Sequence, residues 1–260
     1  MKRITFTLFI LLSLIGLIAQ NEDAVNDFKS TKLMAEQGDA SAQNNLGESY
    51  ENGKGVEQDY KEAVKWYRLA ADQGDAFSQF NLGECYEYGH GVEQDYKEAY
   101  KLYRLAAEQG NAMAQLWLGM LYSEGKGVIQ DSTEAVKWYR FAAEQGETTA
   151  QLFLGMLYEY GKNVDQNYKE AVKWYRLAAN QGETLGQLGL GNLYYNGQGV
   201  IQDYQEAYKW FLLGSYNYSR YPFEFESNID EARNELSSAQ IEEAIREAEE
   251  IQKKIEEGRE

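Results

Sequence analysis

The chain has 260 residues and a formal net charge of -17, from 42 acidic and 25 basic residues, and 43% of its residues are hydrophobic. That apolar fraction, with 21 tyrosines, excludes an intrinsically disordered protein. The negative field works against nucleic acid and anionic lipid as partners, and it either serves solubility alone or draws in a basic partner.

At the N-terminus, Lys2 and Arg3 precede an apolar run from Ile4 to Ile18, followed by Ala19, Gln20 and an acidic stretch. This is the pattern of a signal peptide over residues 1–19, cut near Ala19 or Gln20. The expectation is an exported protein, periplasmic or secreted, with no membrane insertion after signal removal. An uncleaved N-terminal anchor is the alternative. Residues 23–38, "DAVNDFKSTKLMAEQG", match "DYKEAVKWYRLAADQG" 36 residues later in register, which predicts a lone helix capping the array that follows.

That array repeats every 36 residues, over 39–74, 75–110, 111–146, 147–182 and 183–218. The first half of each copy carries Gln43, Leu46, Gly47 and Tyr50 or their equivalents, an i, i+3, i+4, i+7 helical face. A glycine inside that face costs about 1 kcal/mol of helix propensity. Its recurrence predicts a neighbouring side chain too close for a Cβ. A turn with two glycines follows, such as Gly53 and Gly55; in copy four the second is Asn163, the next best residue for a left-handed backbone. No strand precedes these pairs, so they are not a phosphate loop. The second half opens on Asp59, Asp95, Asp131, Asn167 or Asp203 with glutamate three residues on, which predicts N-caps with a returning carboxylate. Ala63, Trp66 or Tyr67, Ala70 and Ala71 give its apolar side, and Gly74 stops it. Cys85, the only cysteine, excludes an intrachain disulfide. It stands where other copies have Ser49, Leu121, Leu157 and Leu193, which predicts a small buried thiol.

After Phe211 the pattern decays. Residues 219–260 are predicted to be C-terminal capping helices, a short one over 228–236 and a long one opened by Ser237 and Gln240 as a capping box. The long helix would bury Ile241, Ala244, Ile245, Ala248 and Ile251, as a cap or as a coiled-coil arm. The fold class expected is all-α: a right-handed α/α superhelical solenoid of about five helix-turn-helix repeats with terminal caps.

The units "AQNNLGESYENGKGVEQDYKEAVKWYRLAADQG" and their four relatives resemble the Sel1-like repeats, a subgroup of the tetratricopeptide-type helical solenoids. The resemblance implies adaptor work, assembling protein complexes in envelope, secretion or host-contact roles. Cysteine-rich relatives bridge each hairpin and have been associated with β-lactam binding or hydrolysis; this chain lacks those cysteines.

Positions that vary among the copies show where a partner would sit. Phe77, Tyr88, Met113, Trp117, Met120, Phe153, Met156 and Tyr160 fall on the side of the first helices that the packing pattern does not use. They are expected to form a partner-binding groove on a concave first-helix face, rimmed by Glu84 and Glu124, or else to fill gaps between adjacent first helices. His90, the only histidine, is expected to face solvent in its turn. No residue set suggests catalysis, a cofactor or a metal site. The function expected is thus a non-enzymatic adaptor for a protein or peptide segment. The alternative is an envelope protein that binds a small ligand or cell-wall fragment, with weak hydrolase activity.

Overall fold

The structure, a computed structural model, describes residues 23–216 and 222–258. The export signal inferred from the sequence lies in residues outside that range. Among the described residues there are thirteen helices and no strand. Helix α1 covers residues 23–36. Five helix pairs follow: α2 (Ala40–Asn52) with α3 (Tyr60–Asp72), α4 (Ala76–Tyr88) with α5 (Tyr96–Glu108), α6 (Ala112–Glu124) with α7 (Ser132–Glu144), α8 (Thr148–Tyr160) with α9 (Tyr168–Asn180), and α10 (Thr184–Asn196) with α11 (Tyr204–Tyr216). Helices α12 (Pro222–Asn234) and α13 (Ser238–Glu257) close the chain.

Local chemistry sets these boundaries. The Asp59 carboxylate accepts from the amides of Lys61 and Glu62 at 2.9 and 3.1 Å, and Asp95, Asp131, Asn167 and Asp203 cap their helices in the same way. The returning half of the predicted box does not form there. The amides of Asp59, Asp95 and Asp131 donate to the backbone carbonyls of Tyr50, Tyr86 and Tyr122 and are not open to a returning carboxylate, and Glu62, Glu98 and Glu134 pair with Lys65, Lys101 and Lys137. Ser237 and Gln240 do make the full reciprocal box. Asn163 adopts φ 67°, the left-handed value its glycine counterparts take. Helix α12 begins at Pro222 rather than near 228, because proline is pre-set for a first helical position.

The described residues fall into two compact units: unit 1 takes those up to Ala114 with Gly125–Ile129, and unit 2 takes Gln115–Glu124 with those from Gln130 onward. In unit 1, α2 packs on α3, α3 on α4 and α4 on α5. A cluster of Ala63, Val64, Tyr67, Leu82, Cys85 and Leu102 fills the layers between them. Cys85 is buried and free, and burial pushes its thiol up to about 12, so it is an inert packing residue. In unit 2, α7 packs on α8, α8 on α9, α9 on α10 and α10 on α11, while α12 and α13 both pack on α11. Helix α13 thus packs on the array; of the residues expected on its buried side, Ala244 and Ala248 are buried and Ile241, Ile245 and Ile251 are half-buried, while Ile255 is buried as well.

Two recurring devices lock one layer to the next. First helices within each unit bury a glutamine that donates back to the helix before: Gln43 to the Ala35 carbonyl at 3.1 Å, Gln79 to Ala71 at 3.4 Å, Gln151 to Ala143 at 3.1 Å and Gln187 to Ala179 at 3.1 Å. A glutamine at the end of the next second helix then donates to that side chain, Gln73 to Gln43 at 2.7 Å and Gln181 to Gln151 at 2.8 Å. The second device is the glycine inside each first helix. A Cβ on Gly47 would stand 2.5 Å from the Tyr67 ring, and one on Gly155 would stand 2.4 Å from Tyr175. The close approach predicted from the recurring glycine is thus a tyrosine lying flat against bare backbone.

Candidate functional site

Five of the eight predicted partner-binding residues, Trp117, Met120, Phe153, Met156 and Tyr160, belong to unit 2. Four of them, all but Trp117, line a pocket of about 400 Å³, together with Ser123, Glu124, Tyr139, Leu157 and Lys162. Helix periodicity explains the wall. Met120 and Glu124 are one turn apart on α6, and Phe153, Met156 and Tyr160 follow at i, i+3 and i+7 on α8. Met156 and Tyr160 are exposed, Tyr160 to 67%. Met120, Trp117 and Phe153 are half-buried. Met120 and Phe153 also pack against the buried cluster of Leu116, Tyr139, Leu154 and Trp174. Those two side chains therefore both fill space within unit 2 and border the pocket.

The floor of the pocket departs from the repeat. In repeat four the Tyr175 hydroxyl donates to Glu159 at 2.5 Å, and in unit 1 Tyr67 donates to Glu51 at 2.6 Å and Tyr103 to Glu87 at 2.7 Å. Burial first, then the bonded carboxylate, pushes all three hydroxyls far up. In repeat three Ser123 takes the glutamate's place, and it lines the pocket beside Tyr139. Tyr139 rises only to about 12, mainly through burial, with the Ser123 side chain opposing and the Glu124 charge adding.

The other three predicted residues, Phe77, Tyr88 and Met113, belong to unit 1 and are exposed, Phe77 to 66%. On the first helices of unit 1, Ser78 and Asn81 donate to the Asn44 side-chain oxygen Oδ1 at 2.9 and 3.0 Å, and the Asn44 amide donates to Glu48 at 2.8 Å. Glu84 is half-buried, and its carboxyl is pushed up to about 7 by burial and by the neighbouring carboxylates of Glu51 and Glu87. His90 is exposed and stacks on Tyr60, with ring centroids 4.9 Å apart.

Sequence reasoning passed over a second set of exposed apolar positions, in each unit separately. Leu69 and Leu105 on the second helices of unit 1, and Phe141 and Leu177 on those of unit 2, are all exposed. They also recur at 36 residues, and that fixed period is the signal that could have found them. Among the described residues no group of three or more His, Cys, Asp or Glu is placed to hold a metal ion, and no helix is long and apolar enough to cross a membrane.

The Sel1 repeat profile matches residues 40–75, 76–111, 112–147, 148–183 and 184–217 in unbroken succession. The chain belongs to the Sel1 repeat family. This Sel1 repeat chain is similar to a solved Sel1 repeat protein from Oxalobacter formigenes, at 35% identity over 77% of this chain and 85% of that one, with a TM-score of 0.69. It is also similar to c5321, a protective antigen of uropathogenic Escherichia coli strains with an SLR fold. There the identity is 27% and the TM-score 0.50, over 90% of this chain and 64% of that one. None of the curated proteins matches the chain. Sel1 repeat proteins are in general scaffolds for protein interaction and typically not enzymes.

Proposed function

We propose that this protein is an exported, non-enzymatic Sel1 repeat adaptor that binds a protein segment on the first-helix face of unit 2 and helps assemble a complex. The observation that carries the reading is the pocket walled by Met120, Phe153, Met156 and Tyr160. Methionine and aromatic side chains left accessible together suit adaptable recognition of another chain, and they concentrate binding energy at few positions. The net charge of -17 favours a basic partner through faster encounter and a matched rim. Export is supported by the basic pair and apolar run at residues 2–18.

Affinity purification from the native host, with the wild type and a Met156→Ala/Tyr160→Ala variant, tests the reading. The expected result is one stoichiometric protein recovered with the wild type and lost with the variant. Equal recovery by both would move the binding surface elsewhere.

A further inference from the structure

The pocket in unit 2 is lined by Ser123, at a position where repeats one, two and four carry glutamate. Where Glu159 bonds the Tyr175 hydroxyl, repeat three has the shorter Ser123, which lines the pocket with Tyr139 and with the apolar wall of Met120, Phe153 and Met156. The exchange also alters the hydrogen bonding on offer. A tyrosine hydroxyl held by a carboxylate is spent as a donor, whereas a serine hydroxyl in the carboxylate's place is both a donor and an acceptor.

We infer that this pocket receives an arginine side chain of a basic partner, with its stem along Met120, Phe153 and Met156 and its guanidinium facing Tyr139, Ser123 and Glu124. This rests on the reading of the unit 2 face as protein-binding and adds the chemistry of what enters it. Four properties of the site select that occupant. Apolar walls suit an aliphatic stem that ends in a charge. The rings of Phe153 and Tyr160, which line the pocket, attract a cation at their faces. A planar, weakly hydrated guanidinium loses less on entering such a site than an ammonium does, and it can reach several acceptors at once. Glu124 lies at the site and acts on Tyr139 electrostatically, within a chain of net charge -17. Lys162 also borders the pocket, and its ammonium opposes a cation. The two rim charges therefore give the inference a sign that can be checked.

The test uses the full-length chain and two small probes of matched length, octylguanidinium and octanoate, titrated by calorimetry. Octylguanidinium should bind about 10-fold more tightly than octanoate; Glu124→Gln should weaken it several-fold and Lys162→Gln should strengthen it. Circular dichroism should confirm that both exposed-site variants stay folded. Octanoate binding as well as or better than octylguanidinium, no binding of either probe, or indifference to both rim substitutions would overturn the inference. Such a failure leaves the protein-binding reading intact if the partner still depends on Met156 and Tyr160. Loss of that dependence with octylguanidinium still bound would remove the protein-binding reading and leave the pocket's chemistry standing.

Discussion

Phe153 meets Tyr139 edge-on, with ring centroids 5.4 Å apart and planes at 67°. The same tyrosine ring occupies the space that a Cβ on Gly119 would need, at 2.7 Å. Tyr139 is thus held by α6 through an absent side chain and by α8 through an aromatic contact. This fixes its hydroxyl at the floor of the pocket. Phe153→Ala should cost about 1–2 kcal/mol, below the usual range for a fully buried phenylalanine because the ring is half-buried. Urea denaturation would measure it, and Met156→Ala, at an exposed position on the same helix, should leave the midpoint nearly unchanged.

Gly155→Ala separates helix propensity from packing. Alanine is the better helix former by about 1 kcal/mol, so an unhindered site would gain stability. Here the new methyl would stand 2.4 Å from the Tyr175 ring, which is buried against Glu159 and cannot swing away. The variant should lose about 1–3 kcal/mol, the range for overpacked cores, as a lowered denaturation midpoint. A gain in stability would show that the tyrosine moves freely.

Glu84 predicts a pH dependence with a definite sign. Its carboxyl sits near 7 in the folded chain against an ordinary 4.5, because burial and the carboxylates of Glu51 and Glu87 disfavour its charge. Between those two pH values the native state holds a proton that the unfolded chain has lost. This contribution to stability is therefore fully present below about pH 4.5 and is lost as pH rises through about 7. Glu84→Gln should be more stable than the wild type at pH 8, by on the order of 1 kcal/mol after solvent screening, with little difference at pH 4. Paired denaturation curves at the two pH values check it.

Lys209 anchors the C-terminal cap. It is only 7% exposed, pairs with Glu206 on its own helix and donates to Glu247 on α13 at 2.7 Å. Burial alone would lower its pKa, yet the two carboxylates together raise it above the ordinary lysine value. Lys209→Met should cost about 1.5–3 kcal/mol, as for lost charged hydrogen bonds, and should speed amide hydrogen exchange across α13 before the other helices. Unaltered exchange in α13 would show that Ala244 and Ala248 hold the cap without help.

Much of this fold is legible in the sequence because each repeat states the same local rules again. The glycine at 47 and its equivalents, the Asp or Asn caps and the alanine pairs point to one helical hairpin, and a residue such as Asn163 can be understood by comparison with the glycines it replaces. The glutamates at 62, 98 and 134 were harder. A capping box needs a free N-cap amide, and only the folded hairpin shows that Tyr50, Tyr86 and Tyr122 take those amides with their backbone carbonyls. The candidate site was legible as a list of large residues on an unused face. Its floor was not, because Ser123 is notable only once Tyr139 is placed against it. Nor could periodicity divide the roles of Phe153, which packs and lines at once.

The central claim is that partner recognition takes place on the first-helix face of unit 2. A photo-crosslinking amino acid placed at Met156, with Leu177 on a second helix as the comparison site, tests it most directly in the native host. Both positions are equally exposed, at 40%. The account predicts one discrete protein adduct from position 156 and none from 177. An adduct from 177 alone would contradict it and assign the interaction to the exposed apolar positions of the second helices.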